Sequence, residues 1–411
     1  MSAVRLAPLM RSALVLPLLV LTACGDGSRP TDSDAATTTA TATDPGTSDA
    51  PPTSTSGELP STSGDEAGMS TGASAPDSTS DAPTTADPAT TTGDDTTGGS
   101  GPVPGAFCAP IPKCDATPPT LPGQGAESSG YSRGRDMFYV EGQPQWVLAK
   151  FTKWGFPIDK DVVGSTVHIF LDRDCAGAWE ELGTTVTTDD GEHAIVEGVE
   201  DSGGRVYFQI PADKLLGPGR HRVHMVDEDE WETATAIIDI VPKGAPFFVS
   251  DVDGTLTTSE NEEAWDFLLD NLPDANPFSA QALGILASKG YRPMYITARP
   301  EWLDRRTREF VTMHNFPQGI IHTTTIYEGA TGAPAAAYKT GEFAQLKAKG
   351  LVPTFVFGNR DSDALAFDNA GVEPPDHRFF FQFTDTMFGG RRIDSYEELL
   401  AEFEALPDLC H

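Results

Sequence analysis

Between Gly25 and Pro102 the sequence contains no Ile, Val, Phe, Tyr or Trp, and this gap sets what the chain can fold into. From Gly25 to Gly105 it is built mainly of Ser, Thr, Ala, Pro, Gly and Asp, with 13 acids and a single base, Arg29. Such a stretch cannot bury enough apolar surface to offset backbone entropy, so residues 25–105 are expected to form a disordered acidic tether. As a flexible coil it would reach roughly 50 Å r.m.s.. The core must lie after residue 105, and what remains of the 411 residues suffices for two domains. Residues 1–24 contribute +2 and the tether −12 to a net charge of −33, so residues 106–411 carry −23. A chain this acidic is not a general nucleic-acid binder, which must neutralise phosphates with Lys and Arg.

Residues 1–24 hold Arg5 and Arg11, an apolar run from Ala13 to Leu21, and then Leu21-Thr22-Ala23-Cys24. The run is shorter than the ~20 residues that span a bilayer, and it reads as a cleaved export signal. The tetrapeptide resembles the lipobox of bacterial lipoproteins, which implies lipidation of Cys24 and cleavage just before it. Gly25, where some inner-membrane lipoproteins carry Asp, favours the outer membrane. The expected location is therefore an exported, membrane-anchored lipoprotein facing the periplasm or the surface. Four cysteines remain, Cys108, Cys114, Cys175 and Cys410, an even number that suits disulfides in an exported chain. Cys108 and Cys114 bracket a short loop and could close locally, leaving Cys175 with Cys410, among three connectivities. The spacings lack the paired C-x-x-C of a zinc site.

After a Cys-containing connecting segment, residues 106–129, two grammars follow. Residues 130–243 read as short strands separated by turn signals: 146–151, 166–171, 193–196, 205–210, 221–226 and 234–241. This spacing predicts a small antiparallel sandwich without a catalytic constellation, a scaffold or contact module. From residue 244 to 411 apolar strands (246–250, 293–297, 354–358, 379–383) alternate with helical segments (262–271, 279–289, 301–314, 341–349, 362–369, 395–404). Alternation with strands apolar on both faces predicts a doubly wound parallel sheet, whose ligands sit beyond the carboxyl ends of the strands.

In Phe247-Phe248-Val249-Ser250-Asp251-Val252-Asp253-Gly254-Thr255 a buried strand ends in two carboxylates two residues apart, followed by a turn glycine. That pair suits a nucleophile and a general acid/base sharing a hard divalent cation. Thr297 ends a later strand, where its hydroxyl could hold a phosphoryl oxygen. Lys339 stands ahead of a helix expected to start at Gly341, where its ammonium could neutralise phosphate. Asn359 and Asp363 follow a third strand and offer themselves to the metal.

The D-x-D-G-T pattern resembles motif I of the haloacid-dehalogenase-like (HAD) phosphatases. Within them, Gly290-Tyr291-Arg292-Pro293-Met294-Tyr295-Ile296-Thr297-Ala298-Arg299-Pro300, His314-Asn315-Phe316-Pro317-Gln318-Gly319 and Phe357-Gly358-Asn359-Arg360 with Asp363 resemble the lipin/Ned1/Smp2 (LNS2) domain. The resemblance covers about residues 245–385. That domain is shared by lipin phosphatidate phosphatases and the Nir/RdgB phosphatidylinositol transfer proteins, and the latter lack the intact carboxylate pair. Lipins join it to an immunoglobulin-like domain, similar to the sandwich expected at 130–243. The resemblance implies a HAD-like Rossmannoid sheet and a phosphatidate phosphatase using Mg2+. Asp251 would form an aspartyl-phosphate and Asp253 would act as acid and then base. Mg2+ would lie on Asp251, the Asp253 carbonyl, Asn359 and Asp363; Thr297 and Lys339 would fix the phosphoryl group, and Thr255 would order the loop. Arg299 and Arg360 are left between salt-bridge and head-group roles.

Only 43 residues separate Asp253 from Thr297, and 41 separate Thr297 from Lys339. Each interval must supply helix and strand, so no sizeable cap fits, and an open site suits a membrane-borne substrate. Hydrolysis of another phosphomonoester and non-catalytic phosphatidate binding at a cell surface are the competing expectations. A folded part at −23 is poorly suited to an anionic bilayer; Arg305, Arg306 and Arg308 could give a local basic face, although on a helix such residues are more often solvated.

Overall fold

The computed structural model describes residues 111–124, 128, 130–153, 159–258 and 272–409, all within one compact unit. Residues 1–24 with Cys24, the expected tether 25–105, Cys108, Cys410 and the helix expected at 262–271 lie outside the described residues.

The first half is built of β1 (Arg133–Arg135), β2 (Met137–Val140), β3 (Trp146–Lys150), the ribbon β4 (Thr152–Lys153) with β5 (Lys160–Asp161), β6 (Thr166–Asp172), β7 (Trp179–Val186), β8 (Arg205–Gln209), β9 (Gly219–Asp227) and β10 (Thr233–Val241). Two sheets, β1-β3-β8 and β2-β10-β9-β6-β7, enclose one apolar core. Strict alternation makes this possible: Val167, Ile169 and Leu171 point inward with Val223 and Met225. The expected all-antiparallel arrangement needs one correction, since β2 runs parallel to β10. Asp136 is the hinge between sheets, its Oδ1 accepting from the amide of Ile237 in β10 at 2.8 Å.

Residues 193–196 are not a strand. Glu197 and Gly198 both take positive φ, 51° and 70°, and return Val196 onto Val199, as a tight two-residue turn does. The unexpected β7 reads Trp-Glu-Glu-Leu-Gly-Thr-Thr-Val; an edge strand buries little, so its polar residues hide the pattern.

The second half alternates β11 (Phe247–Ser250), α1 (Ser279–Ser288), β12 (Arg292–Pro300), α2 (Asp304–Met313), β13 (Ile320–Thr324), α3 (Gly332–Ala348), β14 (Phe355–Gly358), α4 (Asp361–Ala370), β15 (Arg378–Phe381), β16 (Arg391–Ile393) and α5 (Glu397–Ala405). It is a mixed α/β layer on an entirely parallel sheet, ordered β13-β12-β11-β14-β15-β16. Each strand feeds both faces: Val249, Ile296 and Val356 pack with α3 and α4, whereas Phe248, Tyr295 and Phe357 pack with α1, α2 and α5. The first core also takes in Phe138, Val140 and Val241, so the five-stranded sheet lies directly on the α/β layer. Neighbouring order reverses between β11 and β14, which opens a crevice at their carboxyl ends.

Lys339 is not ahead of a helix but well inside α3, which starts at Gly332. Gly341 looked like a boundary, yet Pro334 in the first turn and the alanines after it are compatible with an earlier start. The β13 strand was also missed, because His322 interrupts its apolar run.

A disulfide joins Cys114 to Cys175, which corrects the local Cys108–Cys114 loop and the Cys175–Cys410 pair. The two cysteines are 61 residues apart, a long-range approach that spacing does not encode.

Candidate active site

Asp251 leaves the carboxyl end of β11, its amide donating to the Phe357 carbonyl of β14 at 2.9 Å. Gly254, at φ 73°, turns the chain back over the strand end as only glycine does without strain. The turn brings the Thr255 hydroxyl to Asp251 Oδ2 at 2.9 Å, and its carbonyl accepts from the Tyr396 hydroxyl at 3.1 Å. From α3 the Lys339 ammonium reaches Asp251 Oδ1 at 2.7 Å and Asp363 Oδ1 at 2.6 Å. Asp363 opens α4, and its Oδ2 accepts from the amides of Asn359 and Arg360 at 3.0 and 3.1 Å. This approach requires Gly358, because a Cβ there would lie 2.5 Å from that of Asp363.

Asp253 faces elsewhere. Both its oxygens meet Arg299, with Nε at 2.9 and 3.0 Å and Nη2 at 2.7 Å, and its Oδ2 accepts from the Thr297 hydroxyl at 2.9 Å. Arg299 is fully buried and further tied to Thr307 of α2 at 3.3 Å. Among the two roles left open for it, the structure makes Arg299 the partner of Asp253. Arg360 precedes α4, its backbone amide donating to Asp363 Oδ2 and its carbonyl accepting from the Asp363 amide, both at 3.1 Å. Thus Asp251, Thr255, Lys339, Asn359 and Asp363 form one hydrogen-bonded group at the carboxyl ends of β11 and β14, and Asp253 joins Thr297 and Arg299 in a second group two residues on from Asp251. The Asp253–Arg299 grip went unassigned, although the spacing Thr-Ala-Arg on β12 puts both side chains on one face of the strand.

Burial is the largest influence on Asp251 and pushes its carboxyl up to about 7; Lys339 pulls against it, while Asp363 and Asp253 add to the rise. Lys339 is itself raised, because the charges of Asp251 and Asp363 outweigh its burial. One ammonium therefore serves two buried carboxylates.

Among the described residues no three His, Cys, Asp or Glu side chains gather to hold a metal. The oxygens of Asp251, Asp363 and Asn359 are the alternative, and Asn359 supplies a test. Its Nδ2 is buried without a partner, and its Oδ1 lies 3.1 Å from a Thr255 hydroxyl whose single proton is already directed to Asp251. Turning the amide over lets Nδ2 donate to Thr255 and leaves Oδ1 as the unpartnered atom. A hard cation wants such an oxygen beside two carboxylates, so the residues fit one.

Residues 248–381 match the family model of the LNS2 domain of PITM 1-3. Human membrane-associated phosphatidylinositol transfer protein 3 is 27% identical over 191 residues, 46% of this chain and 18% of that protein. Protein retinal degeneration B of Drosophila melanogaster is 27% identical over 243 residues, 58% of this chain and 17% of its own length. Rat membrane-associated phosphatidylinositol transfer protein 1 is 26% identical over 191 residues, 46% of this chain and 14% of that protein. This chain thus spans less than a fifth of these relatives. A crystal structure described as a candidate beta-phosphoglucomutase from Thermotoga maritima aligns over 39% of this chain and all of its own, at 16% identity and TM-score 0.28, too low to carry an argument.

Proposed function

We propose that this chain is a Mg2+-dependent phosphomonoester hydrolase of HAD type that works through an aspartyl-phosphate on Asp251, with phosphatidate as the substrate and diacylglycerol and phosphate as products. The observation that carries the reading is the Asp251–Lys339–Asp363 chain of contacts at the switch point of the sheet, with Thr255 and Asn359 against it. In this reading Asp251 attacks phosphorus in line as the bond to the leaving alkoxide breaks. Asp253 gives that oxygen a proton and later takes one from the hydrolytic water. Lys339 and Thr297 hold the transferred group where charge develops. Asp251, Asp363, Asn359 and the Asp253 carbonyl would hold the cation, which supplies charge neutralisation to the phosphate. The two-sheet half is an immunoglobulin-like platform in the same proposal. Cys24, lipidated, would tie the protein to the outer membrane, and the acidic tether would let the site search that surface.

A second reading has its own support. Asp253 is gripped at both oxygens by Arg299, and the matched family model is that of transfer proteins rather than phosphatases. A non-catalytic module that binds phosphatidate would look the same in these respects. The test is phosphate release from phosphatidate vesicles and from a panel of soluble phosphomonoesters, with Mg2+ or with chelator. Metal-dependent release from vesicles supports the first reading, and a preference for a soluble ester reassigns the substrate. Binding to phosphatidate vesicles with no release from any ester replaces the enzyme by the module.

A further inference from the structure

At the amino end of the edge strand β13, whereas Asp251 follows the carboxyl end of the interior strand β11, a cleft of about 220 Å³ opens between residues 113–114, strands β9 and β10, helix α2 and the corner leading into β13. Its charged lining is Lys113, Arg220, Arg222 and Arg308, without a single Asp or Glu side chain among the described residues, on a chain of net charge −33. Two of the four cations are neutralised. Arg220 gives Nε and Nη2 to Asp239 at 2.7 Å each, and Arg308 gives Nη1 to Asp136 at 2.9 Å and Nε to Asp304 at 2.7 Å. The other two have no hydrogen-bonded carboxylate. Arg222 spends Nη1 on the carbonyls of Cys114 and Ala116 at 2.9 and 2.8 Å and stacks over Trp179 at 5.5 Å. Asp172 and Asp115 act on Arg222 only through space, and burial lowers its pKa despite them. Lys113 has no ion-pair partner among the described residues, and Nη2 of Arg308 is buried with no hydrogen-bond partner.

Lys113 and Arg222 thus bring two cations to one small cleft with no carboxylate hydrogen-bonded to either, and an anion there would meet both. We propose that this cleft is a second anion site, separate from the aspartate crevice, that takes one phosphate group. Two spare charges match a dianion, and guanidinium forks match its oxygens. The volume falls below the ~300 Å³ at which drug-sized ligands begin to fit, which leaves room for a tetrahedral oxyanion and not for acyl chains. Gln318 also lines the cleft, its carbonyl accepting from Arg220 Nη1 at 2.9 Å. The Cys114–Cys175 disulfide and the Arg222–Cys114 hydrogen bond keep Lys113 at the cleft. The phosphate can be free or a phosphomonoester headgroup, and the proposal stands whether or not the aspartate crevice hydrolyses anything.

Trp179 makes the site visible. The full chain is titrated with inorganic phosphate at constant ionic strength, with chloride as control, following tryptophan emission and bound radiolabelled phosphate by equilibrium dialysis. The expected result is a saturable emission change that persists in Asp251→Asn and vanishes in Trp179→Phe. Binding should weaken at least ten-fold in Arg222→Gln and in Lys113→Gln; the latter residue is exposed and its replacement leaves the fold alone. Flotation with phosphatidylcholine vesicles, with and without phosphatidate, separates the sources. Loss of phosphatidate-dependent flotation in Lys113→Gln identifies a headgroup, and unchanged flotation identifies free phosphate. Equal phosphate binding by wild type and both charge variants, or the same response to chloride, overturns the proposal.

Discussion

Asp251 and Glu342 are both buried carboxylates beside a cation, seated on the same α/β layer, yet their acidities move in opposite directions. Asp251 shares one ammonium, Lys339, with a second carboxylate, and burial prevails, raising it to about 7. Glu342 has two partners to itself, Arg135 at 2.5 Å and His322 at 2.5 Å; burial is again the largest single influence, but together they hold it at about 2. Glu301, between Arg133 at 3.2 Å and Arg205 at 2.9 Å, repeats that pattern and is also held at about 2. The cations on Glu301, and Arg135 on Glu342, come from the two-sheet half, so these pairs join the halves. At the strand ends two carboxylates share one ammonium, whereas at the junction each carboxylate meets two basic side chains.

The largest effect should come from Asp251→Asn. Under the proposed mechanism it lowers phosphate release by at least about 10³-fold, and a thermal melt should show no loss of stability, since a crowded buried charge has gone. A melt lowered along with activity would mean that this carboxylate is structural, like Glu342. Next, Arg135→Met leaves Glu342 short of its strongest partner and should cost about 3–5 kcal/mol in denaturant unfolding; a cost below about 1 kcal/mol would remove the contrast between the two clusters.

Acidity gives the third test. The folded-state values of Glu301 and Glu342 lie below the ordinary 4.5, so their contribution is present above that pH and disappears as pH falls through about 2, on the order of 3 kcal/mol for each. Asp251 is raised, so its contribution is complete below pH 3.8 and is lost as pH climbs through about 7. Unfolding followed from pH 2 to 8 in chelator should therefore show a Glu342→Gln variant losing about half of the acid slope, with Glu301 keeping the rest, and Asp251→Asn losing the neutral one. The smallest effect is from the cation: Mg2+ at a hundred times its dissociation constant should add about 2.7 kcal/mol of stability, and Asp363→Asn should erase the gain. A gain that survives in that variant would put the cation elsewhere.

Much of this was legible before any coordinates. The continuously apolar strands of the α/β half, the turn glycine after Asp253 and the Thr297 hydroxyl within β12 each announce themselves locally. Misreadings arose where a residue's meaning is set at long range. His322 breaks the pattern of β13 because its ring is claimed by Glu342 and by the Asp136 carbonyl at 2.7 Å. Gly341 reads locally as a helix boundary after Lys339, but α3 runs through it where tertiary packing holds the helix. Cys114 pairs across 61 residues, and spacing favours the nearer cysteine.

Sequence alone determined the alternation that makes a parallel α/β layer and the kinds of side chain that end its strands, because periodicity and turn chemistry act between near neighbours. Which cation each carboxylate meets was decided only by the tertiary structure. Lys339 is 88 residues from Asp251 and Arg135 is 207 from Glu342, and the energy of a buried charge depends on whatever packing brings within a few ångströms of it.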